Sequence, residues 1–360
     1  MKKLILIAAT IATAASPAFA SKARQTALSD SRQINDFQQS FERPYLFGNF
    51  GTMATFEWGT SQGVATNAVD PHAEGGFLVN NEGSFYGLYF GRTSKDFNRV
   101  VSVANNQAPA AAKFLYEQNP INVIYGQKAS DLTWGLTFKY SAGKNVSAIP
   151  GVGDQESSTM GLAAGAAWDK WEAELVLGLG GKSKNDAAEL KSKANTKVGV
   201  GYNLDESSHV FADYKMTETD AGGTDVKGNA LNIGYINTLV KSEDANVFYG
   251  IKYASTTEEI GTTKTETSTL PVWIGVEAAA TSWMTLRASA SQSVLINETK
   301  TGGAKSDLDS ITFAAGAGFK LGKGMLDATF ATANQGQLSF SEGSGAADKF
   351  LSNVSYTYMF

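Results

Sequence analysis

Residues 131–141 set the fold class. Leu132, Trp134, Leu136, Phe138 and Tyr140 fall on one side of an extended chain, and Thr133, Gly135, Thr137, Lys139 and Ser141 on the other. Alternation with a period of two marks a β-strand whose faces meet different surroundings. The pattern recurs in 160–168, 171–180, 198–202, 247–253, 270–278 and 311–319, and the chain closes on Val354, Tyr356, Tyr358 and Phe360. Sixteen strands are predicted, near 52–59, 73–79, 84–91, 120–127, 131–141, 158–168, 171–180, 195–203, 208–217, 229–238, 246–255, 269–279, 283–292, 310–320, 325–333 and 350–360. Short connections alternate with long ones, the long ones near 60–72, 92–119, 142–157, 181–194, 218–228, 256–268, 293–309 and 334–349. The pattern is weakest at 73–79, so fourteen strands with an inserted N-terminal hairpin is the alternative count. Pro120 opens one strand and Pro271 lies near the start of another, positions a ladder tolerates.

The N-terminus reads differently. Lys2 and Lys3, an apolar run from Leu4 to Ala15, the break at Ser16-Pro17 and Ala18-Phe19-Ala20 before Ser21 form a secretory signal over residues 1–20, implying Sec-type export. Twelve apolar residues are too few to span about 30 Å of hydrocarbon. Residues 21–50 fit no spanning strand. Ile34, Phe37 and Phe41 repeat at helical spacing after Asp30 and Ser31, with Pro44 following, which predicts a short periplasmic or lumen-entering helix; a loosely ordered arm is the alternative. The domain plan is therefore leader (1–20), N-terminal segment (21–50) and β-domain (51–360).

Three features turn the apolar faces toward lipid rather than toward a second sheet. Those faces carry no ionisable residue in the clear strands, as expected where Lys or Arg would cost roughly 2–4 kcal/mol. Trp168, Trp171 and Trp283 adjoin short turns, and Tyr356, Tyr358 and Phe360 end the chain, as membrane-interface aromatics do. The opposite face is small and polar, suited to a wet lumen. In hydrocarbon every backbone polar group must be paired, and for strands only a closed barrel achieves that. The expected fold is an all-β, transmembrane, antiparallel up-and-down β-barrel of about 16 strands.

Parity then assigns the pore-lining residues. The inward acids are Glu57, Glu172, Glu174, Asp213, Glu277 and Asp327; the inward bases are Lys139, Lys197, Lys215, Lys252, Arg287 and Lys320. Their balance predicts weak ion selectivity, with mutual pairing as the structural alternative. The connection 92–119 carries Arg92, Lys95, Asp96, Arg99 and Lys113 beside Phe97, Phe114, Leu115 and Tyr116, and a loop of that size with apolar residues to bury is expected to fold inward as a constriction or to cover the mouth.

Composition excludes other chemistry. With 30 Lys+Arg, 35 Asp+Glu and no Cys, the chain has no thiol chemistry and no basic field for nucleic acid. Gly181-Lys182-Ser183 imitates a phosphate loop, but Val176 stands where its first Gly belongs. Asp220 with Asp225, and Asp307 with Asp309, lack the calcium-loop spacing. His72, and His209 beside Ser207 and Ser208, match no barrel-hydrolase order. No catalytic residue, cofactor or metal is expected.

The leader, the alternation through the whole chain after it and the C-terminal Phe360 preceded by alternating apolar residues resemble the Gram-negative outer-membrane β-barrels of the porin type, and the major porin-like proteins of predatory bacteria in particular. The resemblance implies an outer-membrane location, insertion by the outer-membrane assembly machinery reading the last strand, and contact with lipid and lipopolysaccharide; porins of this size are trimers in many families, and whether this chain forms a homotrimer stays open at the level of sequence. It implies passive diffusion of ions and small hydrophilic solutes through a water-filled lumen. The third long connection, with Pro150-Gly151-Val152-Gly153-Asp154, departs from the inward loop motif of sixteen-stranded porins. Two alternatives stand beside it: a transporter of hydrophobic small molecules with an N-terminal plug, supported by inward Phe211, Phe248 and Trp273, and a structural or adhesive surface protein.

Overall fold

The computed structural model describes residues 21–29, 31–32, 34, 36–59, 72–107, 113–146, 153–186, 188–221, 223–242, 244–307, 311–331 and 349–360. The leader, Asp30, Asp70, Asp309, Pro150 and most of the connections 60–72 and 334–349 lie outside these residues.

The strands are β1 (Met53–Gly59), β2 (His72–Asn81), β3 (Ser84–Phe90), β4 (Ile121–Ala129), β5 (Leu132–Asn145), β6 (Gln155–Trp168), β7 (Trp171–Lys184), β8 (Glu189–Asn203), β9 (Ser208–Ala221), β10 (Thr224–Lys241), β11 (Ala245–Ile260), β12 (Thr263–Thr281), β13 (Met284–Thr301), β14 (Ala304–Asp307), β15 (Ile311–Leu321), β16 (Gly324–Ala331) and β17 (Lys349–Met359). Each pairs antiparallel with its sequence neighbours, and β1 pairs with β17 from Met53↔Met359 to Gly59↔Asn353, so the sheet closes. β14 and β15 both pair with β13 and form one stave in two pieces, which gives a barrel of sixteen. Closure leaves no open edge, as a bilayer requires.

Alternation does what the sequence pattern demands. On β5, Leu136, Phe138 and Tyr140 face outward and are exposed, while Gly135 and Thr137 are buried inside. Phe56, Trp58, Val123, Tyr125, Val198, Val200, Ile274 and Val276 continue the apolar exterior around the wall. Trp168, Trp171, Trp283, Tyr358 and Phe360 are exposed at the short-turn end, with Trp171 against Tyr202 and Tyr358 against Phe360. Tyr356 is half-buried on the outward side of β17. A closed antiparallel barrel with this belt belongs in the outer membrane of a Gram-negative bacterium.

Three expectations change. The connections drawn at 181–194, 218–228, 256–268 and 293–309 are largely strand: β10 to β13 run 16 to 19 residues and join through tight turns such as Gly261 and Gly302-Gly303. Above the bilayer both faces are wet, so Thr-rich segments such as 263–269 stay extended without alternating. Pro271 sits mid-strand in β12. Its neighbours show how the ladder absorbs it: pairing to β13 shifts between Thr269↔Asn297 and Pro271↔Ser293, and Leu295 on β13 takes φ 60°. The third change is the connection 92–119, which contains a helix, α2 (Lys95–Gln107).

Candidate functional site

The lumen is occupied by the described residues of 21–50. Ser21 caps the short helix α1 (Lys22–Ala27), accepting from the Arg24 amide, and two 3-10 turns follow at Gln39–Phe41 and Pro44–Asn49. The helix expected after Asp30 and Ser31 does not form, because its apolar residues go to different walls. Phe37, Phe41, Phe47 and Phe50 pack edge-to-face against one another and against Leu78, Phe85, Tyr89 and Ile124 inside β2 to β4. Leu28 and Ile34 meet Phe211, Ile236, Phe248 and Trp273 on the other side. The inward rings on β9, β11 and β12 are therefore covered by the plug. Glycines make room for them: a Cβ on Gly250 would lie 2.1 Å from the Trp273 ring.

Charge fixes the plug around the circumference. Arg32 Nη1 and Nη2 donate to Glu174 Oε1 and Oε2 at 2.9 and 2.8 Å, and its guanidinium lies 5.3 Å from the Phe211 ring centre. Arg43 lies 3.9 Å from Glu172, to which the Tyr45 hydroxyl donates at 2.8 Å. Arg24 donates to Glu277 at 2.8 and 2.9 Å, Lys22 pairs with Glu74, Gln38 donates to Glu57, and Glu42 accepts from Lys197 at 2.8 Å. Buried pairs of this kind are weak evidence for net stability, but each strands a charge if one partner is withdrawn.

The inward charges read from parity thus divide. Glu57, Glu172, Glu174, Lys197, Glu277 and Asp327 touch the plug directly, while Arg287 bridges Glu277 and Asp327 at 2.6 and 2.5 Å. Lys139 donates to Glu117 at 2.8 Å, Lys215 pairs with Asp96 of α2, and Asp213 accepts from Asn232 at 2.9 Å. Lys252 is half-buried on β11, and Lys320 is exposed at the short-turn end. Much of the balanced wall is therefore engaged by side chains from the plug and from the connection 92–119.

α2 covers the chamber above the plug. Phe97, Val100 and Val101 bury against Phe114, Leu190 and Val226. Arg99 pairs with Glu258, and Lys95 lines the chamber. Arg92 donates to Gln38 and lies 4.4 Å over the Phe41 ring, so it clamps the plug instead of standing free in a channel. Lys113 is exposed, its carbonyl accepting from Gln155. Between plug and α2 lies a cavity of about 570 Å³. Its lining includes Asn122 and Thr137, each 3% exposed, whose Nδ2 and Oγ1 have no hydrogen-bond partner among the described residues.

Sequence reading missed Glu74, whose parity with Gly76 and Leu78 on β2 marks it as inward, and the plug's own Lys22, Arg24, Arg32, Asp36, Glu42 and Arg43. The density of charge in 22–43, beside aromatics, was the available signal. His209 is stacked on Phe211 with Nδ1 2.9 Å from Asn203 Oδ1 and Nε2 3.9 Å from Glu172, a wall position. Among the described residues no group of His, Asp and Glu converges to hold a metal.

No family model matches the chain, and no curated protein does. Among solved structures, CdiB from Acinetobacter baumannii is similar at TM-score 0.47 and 9% identity, over 85% of this chain and 59% of its own. The toluene transporter TodX of Pseudomonas putida is similar at TM-score 0.41 and 10% identity, over 95% and 98%. OmpT, an outer membrane protein of Vibrio cholerae, is similar at TM-score 0.38 and 11% identity, over 85% and 92%. The chain spans 59% of the length of CdiB. At these scores the likeness carries no functional argument.

Proposed function

We propose that this outer-membrane β-barrel is a plugged, gated transporter of small anionic solutes, without covalent chemistry, and not a standing diffusion pore. One observation carries the reading: residues 21–50 contact the inner wall from β1 round to β17 through apolar packing on two sides and ion pairs on the others. A lumen so filled passes ions only when the segment moves.

The chamber supports the solute class. Lys197 and Lys215 are directly opposite on β8 and β9, where like charges repel. Each takes a carboxylate from a separate element, Glu42 of the plug on Lys197 and Asp96 of α2 on Lys215, and Lys197 also lies 3.5 Å from Glu174 of the wall. Described charged residues lining the chamber number six basic and five acidic; without Glu42 and Asp96 the ratio is six to three. A small dicarboxylate that took both places would release plug and lid together. The inward rings Phe211, Phe248 and Trp273 favour a hydrophobic cargo less, because Leu28 and Ile34 already cover them.

The test uses the absence of native cysteine. A Cβ on Gly316 of β15 would lie 2.8 Å from the Ala27 Cβ, so a bridge at the 3.5–4.5 Å of a disulfide needs the short helix to move back by roughly 1 Å. In planar bilayers, oxidised A27C/G316C should be silent. Wild type should open in response to succinate and not to putrescine, and reduction should restore that response to the variant. Steady conductance on the order of a nanosiemens from the oxidised variant would overturn the plug, and equal responses to succinate and putrescine would overturn the solute class.

A further inference from the structure

Among the described residues, the N-terminal end of the plug contains a ring of buried charge that is one cation short. Asp36 Oδ2 lies 4.0 Å from Arg24; Arg24 donates to Glu277; Glu277 accepts from Arg287; Arg287 donates to Asp327. Ser21 closes the ring: its backbone N–H donates to Asp36 Oδ2 at 3.0 Å and its hydroxyl donates to Asp327 Oδ2 at 3.1 Å. Three carboxylates face two guanidiniums. Asp36 and Asp327 are fully buried, Ser21 is fully buried, and both arginine side chains are under 10% exposed.

An uncompensated buried carboxylate is expensive unless it is neutralised. The nitrogen at 3.0 Å from Asp36 is the atom whose charge depends on processing. While the leader is attached, Ser21 N is an amide: it can donate a hydrogen bond and carries no charge. Hydrolysis of the Ala20–Ser21 peptide bond, by water in the signal peptidase reaction, leaves a carboxylate on Ala20 and an amine on Ser21 that takes up a proton near neutral pH. That ammonium would balance the ring at three against three.

We propose that the α-ammonium of Ser21, freed by cleavage after Ala20, is a structural ligand of Asp36, so that removal of the leader completes the seating of the plug. The inference rests on the plugged-lumen reading and on cleavage at the expected place. It makes maturation a switch: the chain cannot close its lumen fully until export and processing are over. Burial pushes the Asp36 carboxyl up to about 7 against the pull of Arg24 and of the Gln38 and Ser21 amides, which agrees with the missing charge.

The experiment compares two full chains from Ser21 to Phe360, one with a free amine and one Nα-acetylated on Ser21. Acetylation keeps the N–H donor and deletes the charge. Hydrogen exchange of residues 21–50 and bilayer conductance are measured at pH 7, and barrel folding is checked by heat-modifiable mobility. The acetylated chain should expose the segment at least about tenfold more, the scale of one charge-assisted hydrogen bond. Asp36→Asn should restore protection to the acetylated chain and loosen the free-amine chain. Equal protection in the two wild-type chains, or a native protein whose mass does not begin at Ser21, would overturn the proposal. If both chains conduct steadily even with the A27C/G316C disulfide formed, the plug reading fails instead.

Discussion

Removing the Arg32 guanidinium tests the plug where its electrostatics are most exposed to failure. The Glu174 side chain is wholly buried, and that of Arg32 is 10% exposed. Truncating one member of a buried pair costs about 3–5 kcal/mol, mostly because the remaining charge is stranded. Lys197, 3.5 Å from Glu174, stays behind and offsets part of this, so the lower end applies. About 3 kcal/mol is roughly a 150-fold shift in the ratio of seated to released plug. Single-channel recording of Arg32→Ala should therefore show openings far more frequent than wild type. Glu174→Ala in the Arg32→Ala background should recover much of the loss, since no carboxylate is then unpaired, and the double-mutant cycle gives the coupling directly. A folded Arg32→Ala barrel as silent as wild type, with residues 21–50 equally protected from protease, would refute the argument that these ion pairs hold the lumen shut.

Other outcomes follow from the same geometry. A Cβ on Gly135 of β5 would lie 2.5 Å from the Pro44 carbonyl oxygen, so Gly135→Val should unseat the plug by about 1–3 kcal/mol, raising conductance while the barrel keeps its heat-modifiable mobility. Replacing 96–116 with a short flexible link should leave the A27C/G316C disulfide form silent and enlarge the conductance after reduction, as expected of a lid above a plug. The pH profile separates the two N-terminal states. In the acetylated chain the docked Asp36 carboxyl is pushed up to about 7 by burial, against Arg24 and the Gln38 and Ser21 amides, with Asp327 and Glu57 nearby. A raised value means the contribution to seating is complete below about pH 4 and is lost as pH rises through about 7, by up to about 4 kcal/mol. Asp36→Asn should flatten that profile. With the amine free, seating should persist until the amine titrates, above about pH 8. Protease protection of residues 21–50 measured from pH 4 to 9 reads both curves.

The barrel was legible because a bilayer enforces period two on every spanning segment. Leu132 to Ser141 needed no other information, and parity placed Glu174, Lys197, Glu277 and Asp327 on the inner wall. Legibility ended where the physical constraint ended. Above the membrane, Thr263 to Thr269 face water on both sides, so strand and loop carry the same composition. In α2, Phe97, Val100, Val101 and Ala104 do have helical spacing, yet the length of the connection suggested an irregular loop. In 21–50 the apolar residues serve two opposite walls, so no single periodicity describes them: Phe37 and Phe41 belong to one cluster and Ile34 to another. The ion pairs of the plug join residues up to 253 positions apart, and only a folded chain brings Arg24 to Glu277.

Pro271 gives the wall an uneven stiffness. It offers no N–H, the pairing to β11 passes from Ile251↔Val272 to Ala254↔Thr269 across it, and β13 bulges opposite through Leu295. Below that level the staves are bound rung by rung to lipid-anchored neighbours; above it, β11 to β13 rise as a hairpin turret into the medium. β11 keeps every rung to β10 across this level, so the missing rungs fall on the β12 side alone. A sideways load on the turret is expected to bend it first along that side, while the hoop below keeps its ladder whole.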